Sequence, residues 1–181
     1  MFDIKRNIMV LYPINRCYAH PLVDAGCLEF NVYYERNLHG WQRAFRGRVD
    51  IGEYYNVSQY WDMSILFSQV MDTDIKEYAK RGITGVHYMH LPSKMWGMRA
   101  LTNVQFASML WNPKISRQEV FNDYLKSRYG ELAKNMAGLY NRVEQSLANI
   151  TAIKSWLSGS LSKRLVEIFN EGSSNRSQEQ L

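Results

Sequence analysis

The chain has 181 residues, 46% hydrophobic and 22% charged, with a formal net charge of +5. That is long enough for one domain with a real core, and the composition is ordinary for a globular protein. The basic residues are dispersed and form no stripe interleaved with aromatics, so no nucleic-acid partner is expected. No stretch of about 18 apolar residues occurs, so no membrane span is expected either. Met1 is followed by Phe2-Asp3-Ile4-Lys5 rather than by a signal sequence, which bears little on export if the natural protein extends upstream.

Ile8-Met9-Val10-Leu11-Tyr12 is a short apolar run stopped by Pro13, as suits a strand buried on both faces of a parallel sheet. A loop follows through Asp24 and Gly26. Phe30, Tyr34, Leu38, Trp41 and Phe45 then recur at intervals of three and four, marking one face of a helix that Gly47 closes. Val49 to Tyr55 is the second strand. Its loop carries Asn56, Ser58, Tyr60, Trp61 and Asp62. Asp72 or Thr73 is placed to cap the next helix, which carries Ile75, Tyr78 and Ala79 and closes at Gly82. Ile83 to Met89 is the third strand, followed by His90-Leu91-Pro92-Ser93-Lys94-Met95-Trp96-Gly97 and a mostly apolar helix to about Trp111.

The character changes at Asn112-Pro113. Ser116-Arg117-Gln118-Glu119 has capping-box spacing and predicts a helix that carries Val120, Tyr124 and Leu125 and ends near Gly130. Leu132, Met136, Leu139, Val143, Leu147 and Ile150 form the stripe of the next helix, and a short last helix is expected over Leu161 to Phe169. Residues 171–181 are polar and expected to be disordered.

The connections are asymmetric. Loops leaving the strands are long and rich in aromatic, His and Arg residues. The helix-to-strand turns are short, Arg46-Gly47-Arg48 and Arg81-Gly82. That asymmetry is the mark of a (β/α) barrel whose working end is the C-terminal face of its strands. The expected fold is therefore α/β: about three βα units of a partial (β/α)8 TIM-type barrel over residues 1–111, a helical extension over 112–170, and the tail 171–181.

Strand ends and the loops after them supply the candidate site. The first end offers Arg16, Tyr18 and His20. The second offers Glu53, Tyr54 and Tyr55, then Tyr60 and Trp61. The third offers His87, Tyr88, His90 and Trp96. Aromatic rings with nearby polar groups suit a sugar, whose apolar face stacks on an aromatic plane while its hydroxyls take hydrogen bonds. The same cluster equally suits a packed, polar-rimmed barrel mouth. Glu53 is the sharpest residue. A carboxylate at a strand end can orient a substrate hydroxyl or do acid–base work, and it can also pair with Arg16. Glycoside hydrolysis usually needs two carboxylates, or one acid helped by a substrate acetamido group. Asp24 and Asp62 lie farther from a strand end.

No metal or other cofactor is expected. His87 and His90 are three apart, so on a strand they point to opposite faces, and no third ligand is evident. Cys17 and Cys27 lie in one loop, either as two thiols or, in an exported protein, as a disulfide, and two cysteines alone make no zinc site. Phosphate-binding glycine loops, nucleophile elbows and zinc-peptidase motifs are absent from the sequence.

Several stretches resemble one family. They are Arg16-Cys17-Tyr18-Ala19-His20-Pro21-Leu22 with Asp24, Cys27 and Asn31, Leu38-x-x-Trp41, Glu53-Tyr54-Tyr55, Gly82-Ile83-Thr84-Gly85-Val86, Leu110-Trp111-Asn112-Pro113, and Phe121 to Tyr129-Gly130. Over residues 7–150 the chain resembles the C-terminal portion of a bacterial domain of unknown function that accompanies glycan-degrading systems. That domain is similar to glycoside hydrolases of the hexosaminidase and α-glucuronidase kind, and to endo-β-N-acetylglucosaminidases acting on N-glycans. The resemblance implies a barrel whose main acidic motif lies upstream. It also implies pocket roles for Arg16, Tyr18, His20, Glu53 and Tyr54. His87-Tyr88-Met89-His90 departs from it, since relatives place a Gln- or Glu-containing segment there. The expected function is thus a share in the glycan pocket of a glycoside-hydrolase-like protein, with oligo- or polysaccharide as partner and the isolated chain inactive. A non-catalytic carbohydrate-binding or interaction module is the alternative, and a three-unit doubly wound domain is the least favoured. Full-length relatives are expected to be exported. A chain that truly began at Met1 would be expected to self-associate through its open sheet edge.

Overall fold

A computed structural model describes residues 7–14, 16–24, 27, 31–55, 66–88 and 96–148. Trp61, His90, the 161–169 helix and the 171–181 tail lie outside the described residues, as does the side chain of Trp96. The described residues up to Ala148 form one compact unit.

Strand β1 (Ile8–Leu11), helix α1 (Asn31–Ala44), strand β2 (Arg48–Glu53), helix α2 (Ser68–Lys80), strand β3 (Val86–Tyr88) and helix α3 (Trp96–Trp111) follow in βα alternation. The strands form a parallel sheet in the order β1-β2-β3. Val10 lies beside Asp50, and Gly52 beside His87. Each strand is shorter than the apolar pattern predicts. The central strand β2 is buried from Val49 onward, whereas Ile8 of β1 is 48% exposed. The apolar run therefore reports strand identity, but burial follows position in the sheet.

The α1 face is buried in its centre, at Leu38, while Trp41 is exposed. The helix ends at Ala44, and the described glycines with positive φ are Gly82 and Gly130, so Gly47 makes no left-handed cap. Gly82 closes α2 as expected, with φ +74° and its N–H donating to the Ala79 carbonyl at 3.1 Å.

Helix α2 starts at Ser68, four residues before Asp72. The predicted caps lose because the first turn is satisfied from elsewhere in the fold. The Gln69 N–H donates to Glu144 Oε1 at 2.7 Å, and Ser68 Oγ donates to Gln105 Oε1 at 2.6 Å. A carboxylate at a helix N-terminus complements both the unpaired N–H groups and the dipole. Asp72 instead pairs with Lys76 one turn on.

Helices α4 (Arg117–Tyr129) and α5 (Ala133–Ala148) are joined by a 3-10 turn at Gly130–Leu132; α4 packs on α3 and α2, and α5 on α4. Ser116 is the extended residue before α4, as its capping-box position predicts, although its side chain makes no cap bond. The core here is Leu66, Leu101, Phe121, Leu125 and Tyr140, flanked by Met136 and Val143. Leu132 and Leu139 of the predicted stripe are exposed. Tyr140 takes their place, held by a 2.9 Å hydrogen bond to the Tyr129 hydroxyl.

Candidate functional site

Strand β2 divides the candidate residues between its two faces. Val49, Ile51, Glu53 and Tyr55 alternate onto the face covered by α2 and α3, and Asp50, Gly52 and Tyr54 onto the other.

On the helix side, Glu53 is completely buried. Its Oε2 accepts from the Tyr18 hydroxyl at 3.1 Å, and its Oε1 accepts from Tyr78. The Arg16 guanidinium lies 3.7 Å from Glu53 and bonds directly to Asp74. Asp74 also accepts from the Tyr55 hydroxyl and the Leu22 N–H, each at 2.8 Å. Arg16 stacks over the Tyr18 ring, 4.4 Å from its centroid. The Tyr18 hydroxyl in turn accepts from the Tyr54 N–H at 3.1 Å. One arginine and two carboxylates are thus sealed in a low-dielectric site with three phenols. Four of the predicted residues, Arg16, Tyr18, Glu53 and Tyr55, meet here, and Arg16 is the partner that the pairing alternative named for Glu53.

The charges respond to this confinement. Burial, reinforced by Asp74, pushes the Glu53 carboxyl up, and the Arg16 charge and the two phenol bonds only partly oppose it. Burial also raises the Tyr18, Tyr55 and Tyr78 phenols well above their usual range, with the neighbouring carboxylates adding to it. All three therefore stay protonated donors. Burial works against the Arg16 charge, but Asp74 and Glu53 more than offset it. The network ties the loop after β1 to the end of β2 and to α2.

Asp74 and Tyr78 were not legible as site residues. Asp74 had a signal, because it stands inside the apolar stripe Val70, Met71, Ile75 and Tyr78 of α2. A carboxylate on the buried side of a helix needs a partner.

On the opposite face the Tyr12 ring lies across Gly52 so closely that a Cβ there would come 2.1 Å from Tyr12 Cδ1. Glycine permits that contact. Tyr12 meets Tyr54 edge-on at 5.9 Å and lies 6.4 Å from the His87 ring. His87 Nε2 is 3.3 Å from Asp50 Oδ2, which also takes a 2.9 Å hydrogen bond from Arg48. The Asp50 carboxylate is buried, whereas Tyr12 is 41% exposed and the His87 side chain 45% exposed. This face can offer a half-open aromatic surface and a histidine oriented by a carboxylate.

His20 belongs to neither face. Its Nδ1 lies 3.3 Å from Cys17 Sγ in the loop after β1. Asn31 clamps that loop. Its side chain accepts from the Cys17 N–H at 2.8 Å and donates to the carbonyls of Cys17, His20 and Pro21. A separate groove of about 490 Å³ between α3 and α4, lined by Val104, Val120, Tyr124 and Arg128, lies away from the strand ends.

Parallel strands in sequential order define a mixed α/β domain, with polar side chains gathered at the strand ends as the candidate site. The chain belongs to the family described as Domain of unknown function (DUF4838), whose model matches residues 2–141. No curated protein and no solved structure matches it.

Proposed function

We propose that this chain is the C-terminal portion of a glycoside-hydrolase-like (β/α)8 barrel and supplies one wall of a glycan pocket. The observation that carries the reading is the face of β2 turned away from α2 and α3. There Tyr12 and His87, half open to solvent, stand together with the buried Tyr54 near the strand C-terminal ends. In a barrel that face is the interior and its C-terminal rim is the site. The sequential order β1-β2-β3 fits a barrel and contains no reversal of the kind that makes a ligand crevice in doubly wound sheets. Tyr12 stacks on a sugar ring, while His87, oriented by Asp50, hydrogen-bonds a hydroxyl. Glu53 acts from behind the sheet, holding the loop after β1 against the end of β2 through Tyr18 and Arg16. Hydrolysis of the glycosidic bond uses acidic groups from upstream strands.

One observation favours the non-catalytic alternative, a carbohydrate-binding module. The two acids of β2, Asp50 and Glu53, are both fully buried. The test uses the full-length parent protein, titrated with N-acetylglucosamine-containing oligosaccharides by calorimetry and assayed for release of reducing ends. Binding that weakens roughly tenfold or more, about 1.4 kcal/mol, in Tyr12→Ala and His87→Ala supports the pocket. Binding without turnover selects the module. Absence of binding, or binding indifferent to both substitutions, overturns the reading.

A further inference from the structure

We propose that the loop after β1 binds a zinc ion through Cys17, His20 and Cys27. The sequence shows two cysteines, which are too few. Folding adds the imidazole. The two Sγ atoms and a His20 ring nitrogen lie within 4.8 Å of one another, with Cys17 Sγ and His20 Nδ1 at 3.3 Å. Zn–S bonds of about 2.3 Å and Zn–N bonds of about 2.0–2.1 Å put tetrahedral ligand atoms about 3.5–3.8 Å apart. The Cys17–His20 distance falls just short of that range, all three atoms lie within 4.8 Å of one another, and no disulfide joins the two cysteines.

The scaffold is already built. Asn31 fixes both the N–H and the carbonyl of Cys17 and the carbonyls of His20 and Pro21. The Asn31 N–H donates to the Cys27 carbonyl at 3.2 Å, and the Cys27 N–H to the Asp24 carbonyl at 3.0 Å. One buried asparagine thus holds both arms of the ligand set, and the first turn of α1 anchors it. Hydrogen bonds that brace the residues carrying the ligands set ligand orientation in metal sites. Two thiolates and one neutral imidazole are soft donors that select zinc over magnesium or calcium, and their charge balances a divalent ion in a half-buried loop. Water fills the fourth position. The ion would fasten the segment that carries Arg16 and Tyr18, whatever ligand the strand ends take.

The experiment is metal analysis of the full chain purified under reducing conditions and dialysed against zinc, with Co²⁺ substitution as the spectroscopic probe. About one zinc per chain is expected, with thiolate-to-cobalt charge-transfer absorption. Cys17→Ser and His20→Ala should each weaken zinc binding at least tenfold while the far-ultraviolet circular dichroism is unchanged. Both positions are only half-buried, so these variants are preferred to changes at the buried Cys27. Absence of stoichiometric zinc overturns the proposal. So does zinc retained by both variants, or a Cys17–Cys27 disulfide that forms while the reduced protein takes up no metal.

Discussion

The two faces of β2 use the same residue types for different ends. Toward α2 and α3, Glu53 and its partners are closed off, and each carboxylate oxygen of Glu53 and Asp74 has a donor. Away from them, Asp50 is equally buried, but the groups around it, Tyr12, His87 and Arg48, reach solvent. A closed network holds geometry and an open one can meet a ligand. The difference lies in what covers each face and is not visible in residue type.

The largest effect separating them is expected at Asp74. Asp74→Asn leaves the buried Arg16 guanidinium without its direct carboxylate, and breaking a buried pair costs about 3–5 kcal/mol. Denaturant unfolding measures it, and a loss near that of a surface substitution would show that the network does not hold the loop. Next is Gly85→Ala. The new Cβ would stand 2.2 Å from Asp50 Oδ2, a buried carboxylate held by Arg48 and His87, so overpacking should cost about 1–3 kcal/mol.

Glu53→Gln is expected to cost less, about 1 kcal/mol at neutral pH, because it also removes a buried negative charge. Its pH dependence is more telling. Glu53 has a raised folded-state pKa, so folding favours its protonated form. The stability from this preference is fully present below the unfolded carboxylate pKa of about 4.3 and is lost as pH rises through the folded value. Wild type should therefore gain stability relative to Glu53→Gln on acidification across that window. Parallel unfolding curves for the two proteins would refute the assignment. The smallest stability effect is expected on the open face. His87→Ala breaks a half-exposed 3.3 Å pair and should cost less than about 1 kcal/mol, while weakening glycan binding by the parent protein. A large stability loss there would erase the distinction between the faces.

Much of the path to this site can be read from the chain. The apolar runs placed all three strands, and the three- and four-residue periodicity placed α1 and α5, because both patterns are local consequences of backbone geometry. Arg16, Tyr18, Glu53 and Tyr55 stood out by their positions at strand ends. The helix α2 boundary did not follow from local caps, since Glu144, from a distant helix, supplies the partner for Gln69.

The sequence by itself determined the βα alternation, the short helix-to-strand turns and the residue types crowded at the strand ends. These depend on spacing within a few residues of one another. Tertiary structure alone decided that Arg16 takes Asp74 as its direct partner, that Tyr55 meets Asp74 and Phe106 while Tyr54 meets Tyr12, and that His20 joins two cysteines. The first two depend on segments far apart in the chain meeting across the sheet, and the third on how one loop folds back around Asn31. No local pattern records which distant donor will reach a buried acceptor.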